Sequence, residues 1–255
     1  MIDKARIRRC FERAAQSYDR QAVIQQRVAE HLLGMLARCD TGTTIHRVLE
    51  IGCCTGLLTG KLVRRLPDIH ELVLNDLVES FALRAGEQPG IPAVRFLGGD
   101  IESVELPGAF DLIISSSTFH WVHDLEGLLS RLAGHLRPGG RLAFSLYGPQ
   151  NLQEIRTLTG IGLDYTGLDR IQTMTGRYLQ VEAVDEQLQT FFFASPDEVL
   201  VHLRETGVNA LANTVWTPRR LERFRREYRE KFSDEQGVRL TYHPLYVVAR
   251  RPQAA

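Results

Sequence analysis

Between residues 47 and 147, short apolar runs alternate with amphipathic segments, and this alternation limits the possible folds more than any other feature of the sequence. Segments between the runs, such as LLTGKLVRRL, VESFALRAG and LEGLLSRLAGHL, place apolar residues at helical spacing. Several runs are apolar throughout, which is typical of strands buried on both faces. We therefore predict an α/β domain with a parallel sheet covered by helices on both sides. The runs occupy residues 47–51, 71–76, 93–98, 110–116 and 141–147.

The flanking segments are predicted to add helices and two more strands. Residues 3–38 have helical periodicity, and LRPGGR at 136–141 has the composition of a helix end followed by a turn into the fifth strand. A length of 255 residues suits one domain with insertions. Beyond the fifth run, we predict a short helix within 148–167, a helix near 168–178, a strand near 181–193, mostly helix over 195–237 and a last strand over 240–250.

Composition and charge argue against several classes of protein. The 31 basic and 31 acidic residues cancel, so no global charge favours nucleic acid. The sequence contains no CxxC pair, so a zinc site is not predicted. The cysteine spacing does not indicate a disulfide framework. The sequence contains neither the apolar core of a signal peptide nor a membrane-spanning run. We therefore predict a cytoplasmic protein without metal; the cysteines are Cys10, Cys39, Cys53 and Cys54.

The turn after the first run, within VLEIGCCTG at 48–56, has the features of a nucleotide-type cofactor site. Glycines there let the backbone approach a ligand, and the following helix offers free N–H groups. The spacing differs from the G-x-G-x-x-G fingerprint of dinucleotide sites. Glu50 also precedes Gly52 by two residues, and this acid repels a pyrophosphate but suits a cationic ligand. The pattern therefore disfavours a nicotinamide-dependent oxidoreductase.

The next strand ends carry further acids. Asp76 closes the second run and Asp100 follows the third, so both are expected at the same edge of the sheet as Glu50. A purely structural role, in which each acid caps a helix or turn, is the alternative for each one. Three acids at three successive strand ends favour a ligand site over that alternative.

This acid-led pattern resembles motif I of the class I S-adenosylmethionine-dependent methyltransferases. The resemblance implies a Rossmann-like fold with a seven-stranded, mostly parallel sheet, an antiparallel last strand and helical insertions. It implies that the glycines contact the methionine part of the cofactor, that Asp76 holds the ribose hydroxyls, and that Asp100 reads the adenine amino group. The product would be S-adenosylhomocysteine. The full set of expected cofactor-binding residues is Glu50, Gly52, Cys54, Gly56, Asp76, Leu77, Asp100, Ile101 and Ser115.

Cys54 departs from the family pattern, which has glycine at this position. A cysteine is acceptable there if its φ is negative and its side chain points away from the ligand. We therefore expect weaker or unchanged cofactor binding, and we disfavour a reactive role for the Cys53–Cys54 pair.

Longer segments are similar to the malonyl-acyl carrier protein O-methyltransferases of biotin synthesis, nearly from end to end. The implied reaction transfers a methyl group from S-adenosylmethionine to the free carboxylate of a malonyl thioester, carried by acyl carrier protein or coenzyme A. The methyl ester would then prime pimeloyl synthesis. The segments that carry the resemblance are 11–25, 99–125, 147–165, 205–211, 216–232 and 240–250.

The resemblance assigns roles to parts of a single domain spanning 1–255. Residues 44–147 form the cofactor-binding core and 240–250 the last strand. The remaining segments form an N-terminal helical cap at 1–38 and a substrate roof at 148–167 and 195–237.

Because a carboxylate is ionised at neutral pH, the reaction needs positioning groups rather than a general base. Arg156 is expected to orient the malonyl carboxylate, with a surface or inter-helix salt bridge as the alternative. Tyr18 is expected to close over the site, or else to be an ordinary packed tyrosine. His120 and Trp121 follow the fourth strand and are expected to line the site. The weaker candidates are Tyr165, Tyr242 and His243.

A basic docking surface for the acidic carrier is expected on 216–232, where arginines such as Arg223 and Arg226 outnumber the acids. The common alternative for such a run is a solvated helix face. The sequence leaves two other functions open: methylation of a small free molecule, such as a quinone precursor or carboxylic acid, and cofactor binding without catalysis in a regulatory protein. Further cations on the N-terminal helix are Lys4, Arg6, Arg8, Arg9 and Arg13.

Overall fold

The computed structural model describes residues 2–39, 44–82, 90–208 and 216–253. Its main sheet has seven strands: β1 (Arg47–Ile51), β2 (Glu71–Asp76), β3 (Ala93–Gly98), β4 (Phe110–Ser115), β5 (Leu136–Tyr147), β6 (Gln180–Glu186) and β10 (Pro244–Arg250). The strand order is β3-β2-β1-β4-β5-β10-β6. β10 pairs antiparallel with β5 and β6, whereas the other pairs are parallel. The predicted fold, a mostly parallel sheet with an antiparallel last strand, is confirmed.

Helices cover the sheet on both faces. They are α1 (Lys4–Ala14), α2 (Tyr18–Gln21), α3 (Val23–Arg38), α4 (Leu57–Arg65), α5 (Leu125–Gly134), α6 (Gln153–Thr159), α7 (Leu168–Gly176), α8 (Pro196–Glu205) and α9 (Pro218–Phe232). Val48 of β1 packs in one core with Leu32 and Leu62, from α3 and α4. Its neighbour Leu49 packs in the opposite core with Leu129 of α5. Alternate residues of one strand therefore fill two cores, which explains why the run is apolar throughout.

Side-chain caps fix where several helices begin. Asp3 accepts a hydrogen bond from the Arg6 amide at the start of α1, and Asp124 accepts one from Gly127 at the start of α5. Caps of this kind contribute about 1 kcal/mol each. Ser195 and Thr217 cap α8 and α9 in the same way, each followed by proline at the first helical position.

The turn predicted at 136–141 is wrong, because these residues belong to β5. The helix before them ends at Gly134, and β5 begins at Leu136 with a register shift opposite Phe110 and Leu112. A Cβ on Gly140 would lie 3.0 Å from the Phe110 carbonyl oxygen. The glycines that suggest a turn therefore let an irregular strand approach its neighbour closely.

The two predicted late strands are each divided between two sheets. Residues 181–193 form β6 and then β7 (Gln189–Phe193), and residues 240–250 contribute to β9 (Gly237–Tyr242) and form β10. β7 and β9 belong to a separate three-stranded sheet with β8 (Ser233–Asp234), in the order β7-β9-β8. The chain changes sheets after Glu186 and at His243, where only two residues and one residue separate the consecutive strands.

Some predictions fall outside the described part of the chain. The helix expected at 78–86 includes residues 83–86, which lie outside the described ranges. The described beginning of this segment is a short 3₁₀ turn at Glu79–Phe81. Residues 209–215 also lie outside the described ranges. They belong to the insertion predicted at 195–237, and residues 209–211 belong to the resemblance segment 205–211. Across the described ranges, none of the helices has the length and apolar character needed to span a bilayer.

Candidate active site

A pocket of about 680 Å³ lies where β1, β2, β3 and β4 end. Parallel strands bring their carboxyl ends to one edge of the sheet, which is why residues distant in sequence meet here. Of the expected cofactor-binding residues, the pocket is lined by Gly52, Cys54, Asp76, Leu77, Asp100 and Ile101. The other lining residues come from α1 and α2, from the ends of β1 and β2, and from the segments after β2, β3 and β4: Lys4, Ile7, Phe11, Tyr18, Ile51, Asn75, Val78, Gly99, Ser116, Ser117, Thr118, Trp121 and Val122.

Gly52 is required at the turn after β1 for two reasons. Its φ is 74°, in the left-handed region that favours glycine. A Cβ added there would lie 2.1 Å from the Thr118 hydroxyl oxygen. Gly52 thus lets the β1 turn pass against the segment after β4, and both segments line the pocket.

Cys54 does not meet the condition of a negative φ, because its φ is 48°. A non-glycine residue in this region carries strain of about 1 kcal/mol. Cys54 nevertheless lines the pocket, and burial raises the pKa of its thiol well above the ordinary value. A thiol that stays protonated is a poor nucleophile, which argues against a reactive role.

Asp76 is held in place by backbone amides on both sides. Its Oδ2 accepts from the Cys54 N–H at 2.8 Å, and its Oδ1 accepts from the Val78 N–H at 2.8 Å. Burial raises the pKa of Asp76 to about 6, and these amide hydrogen bonds oppose the rise. The carboxylate therefore points into the pocket in a fixed orientation, with further acceptor capacity on each oxygen.

Asp100 is paired with a cation from the helical cap. The Lys4 ammonium lies 3.1 Å from Asp100 Oδ1 and 2.8 Å from Glu102 Oε2. Arg8 donates through Nε to the Leu77 carbonyl at 3.1 Å. These two cations face the strand ends, so they do not belong to the docking surface expected on the N-terminal helix. Instead they secure α1 across the pocket.

Glu50, Gly56 and Ser115 do not line the pocket, because the structure places them behind its wall. Glu50 is fully buried in β1, and burial raises its pKa to about 8, with Thr59 opposing and Asp76 adding to the rise. Ser115 donates to the Ile51 carbonyl at 3.0 Å. Gly56, with φ of 88°, starts α4. The expectation of direct cofactor contact therefore fits the other six members of the predicted set better than these three.

A second cavity of about 1,030 Å³ adjoins the pocket. Val122 lines both cavities. Ser117 of the pocket and Tyr147 of the second cavity have hydroxyl oxygens 3.3 Å apart. We call the boundary formed by Ser117, Trp121, Tyr147 and His120 the seam. The second cavity is lined by Ile2, Phe119, His120, Val122, His123, Leu125, Leu146, Tyr147, Gly162, Leu163, Asp164, Tyr165 and Thr166.

His120 and Trp121 lie on opposite sides of the seam, with ring centroids 4.9 Å apart. Burial lowers the pKa of His120 to about 3, so the imidazole is neutral at physiological pH. His120 Nδ1 and Trp121 Nε1 are buried without a hydrogen-bond partner among the described residues. Buried polar groups in this state are uncommon and need an explanation, which a bound ligand would supply.

Tyr18 is buried in the pocket wall, as expected for a residue that covers the site. Its ring centroid lies 6.2 Å from that of Phe11, which in turn lies 6.3 Å from Trp121. Burial raises the pKa of the Tyr18 phenol well above its ordinary value, so it stays protonated. Aromatic contacts thus run from the helical cap to the seam.

Arg156 lies outside both cavity linings. Its guanidinium donates to the Pro149 carbonyl and lies 5.6 Å from the centre of the Tyr165 ring. Tyr165 lines the second cavity, and its hydroxyl accepts from the Asn151 side-chain amide at 3.0 Å. Arg156 therefore meets the second cavity through Tyr165.

The remaining candidate residues line neither the cofactor pocket nor the second cavity. Tyr242 contacts His202 through a 2.9 Å hydrogen bond in the core, and His243 accepts from the Gln150 amide, so both have structural partners. Arg223 and Arg226 are exposed on α9 and line a groove with Thr217, Arg219, Arg220 and Glu222.

Comparison with known proteins identifies the family. The family model described as a methyltransferase domain matches residues 49–144. A malonyl-acyl carrier protein O-methyltransferase of Prosthecochloris aestuarii is 39% identical over 258 residues, covering 100% of this chain and 96% of the relative. One of Chlorobium luteolum is 40% identical over 257 residues, covering 99% and 97%. The chain belongs to the malonyl-acyl carrier protein O-methyltransferase family. Both the predicted family and the enzyme class, an S-adenosylmethionine-dependent O-methyltransferase, are confirmed.

Solved structures agree on the fold. The YcgJ protein of Bacillus subtilis superposes with a TM-score of 0.63 at 18% identity, over 88% of this chain and 100% of that one. The N-methyltransferase NodS of Bradyrhizobium japonicum, solved with S-adenosyl-L-homocysteine, gives a TM-score of 0.50 at 16% identity over 88% and 87% of the two chains.

The pocket of this malonyl-acyl carrier protein O-methyltransferase family member has donor and acceptor groups that fit S-adenosylmethionine. Asp76 and Asp100 offer carboxylate acceptors for ribose hydroxyls and an amino group, and the orphaned indole N–H of Trp121 offers a donor. Lys4, the cation that lines the pocket, is already paired with acids. The pocket therefore suits a neutral nucleoside with a cationic tail better than a pyrophosphate.

Sequence reasoning missed several lining residues, notably Lys4, Ser117, Thr118 and Tyr147. Tyr147 closes the fifth apolar run, so the strand-end rule that found Asp76 applies to it as well. Lys4 had no comparable signal, because helix docking decides where its ammonium lies. Within the described ranges, no group of three His, Cys, Asp or Glu side chains is arranged to hold a metal ion.

Proposed function

We propose that this protein transfers a methyl group from S-adenosylmethionine to the free carboxylate of malonyl-acyl carrier protein. The methyl ester would prime pimeloyl synthesis for biotin, in the cytoplasm. The observation that carries the proposal is the pair of adjoining cavities. The cofactor pocket has carboxylates at the strand ends, and the second cavity is lined in part by aromatic and histidine side chains. The two cavities meet at the seam.

The chemistry asks little of acid–base groups. S-adenosylmethionine supplies an electrophilic methyl group on a sulfonium centre. A malonyl carboxylate is ionised at neutral pH, so it attacks without losing a proton. The protein's task is to align the two reactants and exclude water.

In this proposal, different residues of the pocket bind different parts of the cofactor. Asp76 holds the ribose hydroxyls, Asp100 with Ile101 and Leu77 surrounds the adenine, and the turn at Gly52 and Cys54 faces the methionine part. Glu50, behind the wall and next to Asp76, contributes negative potential that favours a cationic ligand once its carboxyl group ionises. A sulfonium placed near it would in turn lower the pKa of Glu50.

The substrate enters through the second cavity. Tyr165 lines this cavity, and the Arg156 guanidinium lies outside the lining, against the Tyr165 ring, where it attracts the malonyl carboxylate. Trp121 and Tyr18 separate the reacting groups from solvent, because both are buried beside the pocket. His120 is a polar lining group rather than a base, since its imidazole is neutral.

The carrier protein docks on α9 in this proposal. Arg223 and Arg226 have exposed side chains in a groove with two further arginines, which suits an acidic carrier. Their contacts with Glu227 and Glu230 are long, at 3.9 Å each, so both arginines are available to a partner.

The test is transfer of labelled methyl to malonyl-acyl carrier protein, beside malonyl-coenzyme A, unacylated carrier and small carboxylic acids. We expect a base-labile ester only on malonyl species. Label on small acids alone would replace the proposal with a small-molecule methyltransferase. Cofactor binding without turnover on any acceptor would indicate a non-catalytic role.

Carrier docking is tested separately with R223E/R226E. We expect KM for malonyl-acyl carrier protein to rise by about 10-fold while KM for malonyl-coenzyme A is unchanged. The control R64E/R170E makes the same charge change at exposed positions on α4 and α7. Equal effects of both double variants would reject a specific surface on α9.

A further inference from the structure

We propose that the reacting carboxylate is held at the seam by two neutral hydrogen-bond donors, Tyr147 and His120, and that Arg156 acts at the wall of the second cavity rather than on the reacting oxygen. This inference rests on the proposed function, because it assigns partners to the carboxylate of that reaction.

Tyr147 and His120 lie where the two reactants meet. Tyr147 ends β5 and lines the second cavity, and its hydroxyl is 3.3 Å from that of Ser117, which lines the pocket. The His120 ring centroid lies 4.9 Å from that of Tyr147 and 4.9 Å from that of Trp121. An oxygen that contacts both donors therefore stands next to the pocket.

Both groups have a proton to donate. Ser117 Oγ donates to the Tyr147 hydroxyl, which leaves the phenol proton free for another acceptor. His120 Nδ1 is buried without a described partner, so in the tautomer protonated there it also has a free N–H. A carboxylate offers acceptor sites for both donors at once, and this would satisfy the orphaned nitrogen.

No positive side chain competes with these donors among the described residues that line the second cavity. Arg156, outside this lining, donates to the Pro149 carbonyl and lies against Tyr165. Lys4 on the other side is paired with Asp100 and Glu102. The carboxylate therefore leaves the influence of Arg156 and reaches a site without a counter-ion.

A neutral site suits both steps of turnover. The carboxylate oxygen gives an electron pair to the new O–CH₃ bond and loses its negative charge, while the S–CH₃ bond breaks and its electron pair stays on sulfur, which loses its positive charge. No proton moves, so neither donor has to titrate. Hydrogen bonds to a charged acceptor are stronger than those to the neutral ester, so the product is held less tightly than the substrate.

The experiment compares steady-state kinetics on malonyl-acyl carrier protein for the wild type, Y147F, H120F, H120N and R156Q. We expect kcat to fall by about 30-fold in Y147F and H120F, because each loses one donor at the reacting oxygen. H120N keeps an N–H donor and should recover part of that loss. R156Q should mainly raise KM, by about 10-fold.

Calorimetry of S-adenosylmethionine binding monitors the pocket in every variant, and two independent positions guard against misfolding at one of them. Y246F makes the same change as Y147F at a buried tyrosine that lines neither cavity, and should keep the wild-type kcat. Y147F and H120N should also keep the shape of the wild-type pH profile of kcat between about pH 6 and 9, since neither donor titrates there.

Unchanged kcat in Y147F and H120F, with R156Q losing kcat instead, would overturn the inference and return the carboxylate to Arg156. A wild-type protein that binds the cofactor but never methylates malonyl-acyl carrier protein would overturn the proposed function, and this inference with it. The two failures are therefore distinguishable by the wild-type result.

Discussion

The two cavities differ in how their polar groups are held. In the cofactor pocket, Asp76 takes amide hydrogen bonds from Cys54 and Val78, and Asn75 donates to two carbonyls of the next strand end. In the second cavity, His120 Nδ1 has no described partner. The strand-end side of the pocket is thus preorganised by the sheet, whereas the seam, where Trp121 Nε1 also has no described partner, is completed by its ligand. Four changes, from the largest expected effect to the smallest, test the rigid side of this contrast.

Gly52→Ala should have the largest effect, because a rigid pocket cannot absorb a methyl group 2.1 Å from the Thr118 hydroxyl oxygen. We expect affinity for S-adenosylmethionine to fall by about 100-fold, measured by calorimetry. The double variant G52A/T118G removes the clash and should recover part of the loss, leaving the strain of a positive φ.

The matched control is Gly134→Ala, at the end of α5, where a Cβ meets nothing within 4 Å. It should bind the cofactor normally. Wild-type affinity in G52A would mean that the pocket adjusts, and the contrast between the cavities would not hold.

Glu50→Gln tests the one buried acid of the rigid region that lies behind the wall. Its pKa is raised from 4.5 to about 8, so its stabilising contribution is complete below pH 4.5 and is lost as pH rises through 8. Relative to wild type, E50Q should therefore become more stable between pH 5 and 9, by roughly 3–5 kcal/mol.

Urea unfolding of both proteins across this pH range measures the difference. Cofactor affinity should fall more in E50Q at pH 9, where wild-type Glu50 is ionised, than at pH 6. A difference in stability that does not change with pH would show that Glu50 is not protonated in the folded protein.

Lys4→Met should loosen the cover of the pocket. It removes the ammonium between Asp100 and Glu102 and leaves two carboxylates close together. We expect cofactor affinity to fall by about 3- to 10-fold and to depend less on salt than in wild type. Arg13→Met, an exposed change on the same helix, is the control. If cofactor affinity depends equally on salt in K4M and wild type, the Lys4 ion pairs do not hold α1 over the pocket.

Cys54→Gly should have the smallest effect. Glycine relieves the strain of a φ of 48°, so the free energy of unfolding should rise by about 0.5–1 kcal/mol. Cofactor affinity should change by no more than about 3-fold, because the Cys54 amide still holds Asp76. Cys54→Ala keeps the strain of a positive φ, so its free energy of unfolding should not rise. A rise equal to that of C54G would show that the thiol, rather than the backbone strain, destabilises the wild type.

The rigid region was also the more predictable from sequence. Apolar runs fix β1 to β4, and the strand-end rule leads directly to Asp76 and Asp100, because the sheet determines where these residues lie. The second cavity depends on packing between segments far apart in the chain, such as Tyr147 and Tyr165 with His120. No local pattern encodes that contact. The same limit hid the small sheet, since only one or two residues separate β9 from β10 and β6 from β7.

The position of β10 has a consequence for synthesis on the ribosome. Residues 244–250 are the last strand to be made, yet they fill the gap between β5 and β6. Until they emerge, one edge of β5 is unpaired and β6 has no partner strand in the main sheet, so both are open to other strands. The nascent chain can assemble β1 to β5 with the cofactor pocket early, but the sheet closes only after translation has passed residue 250.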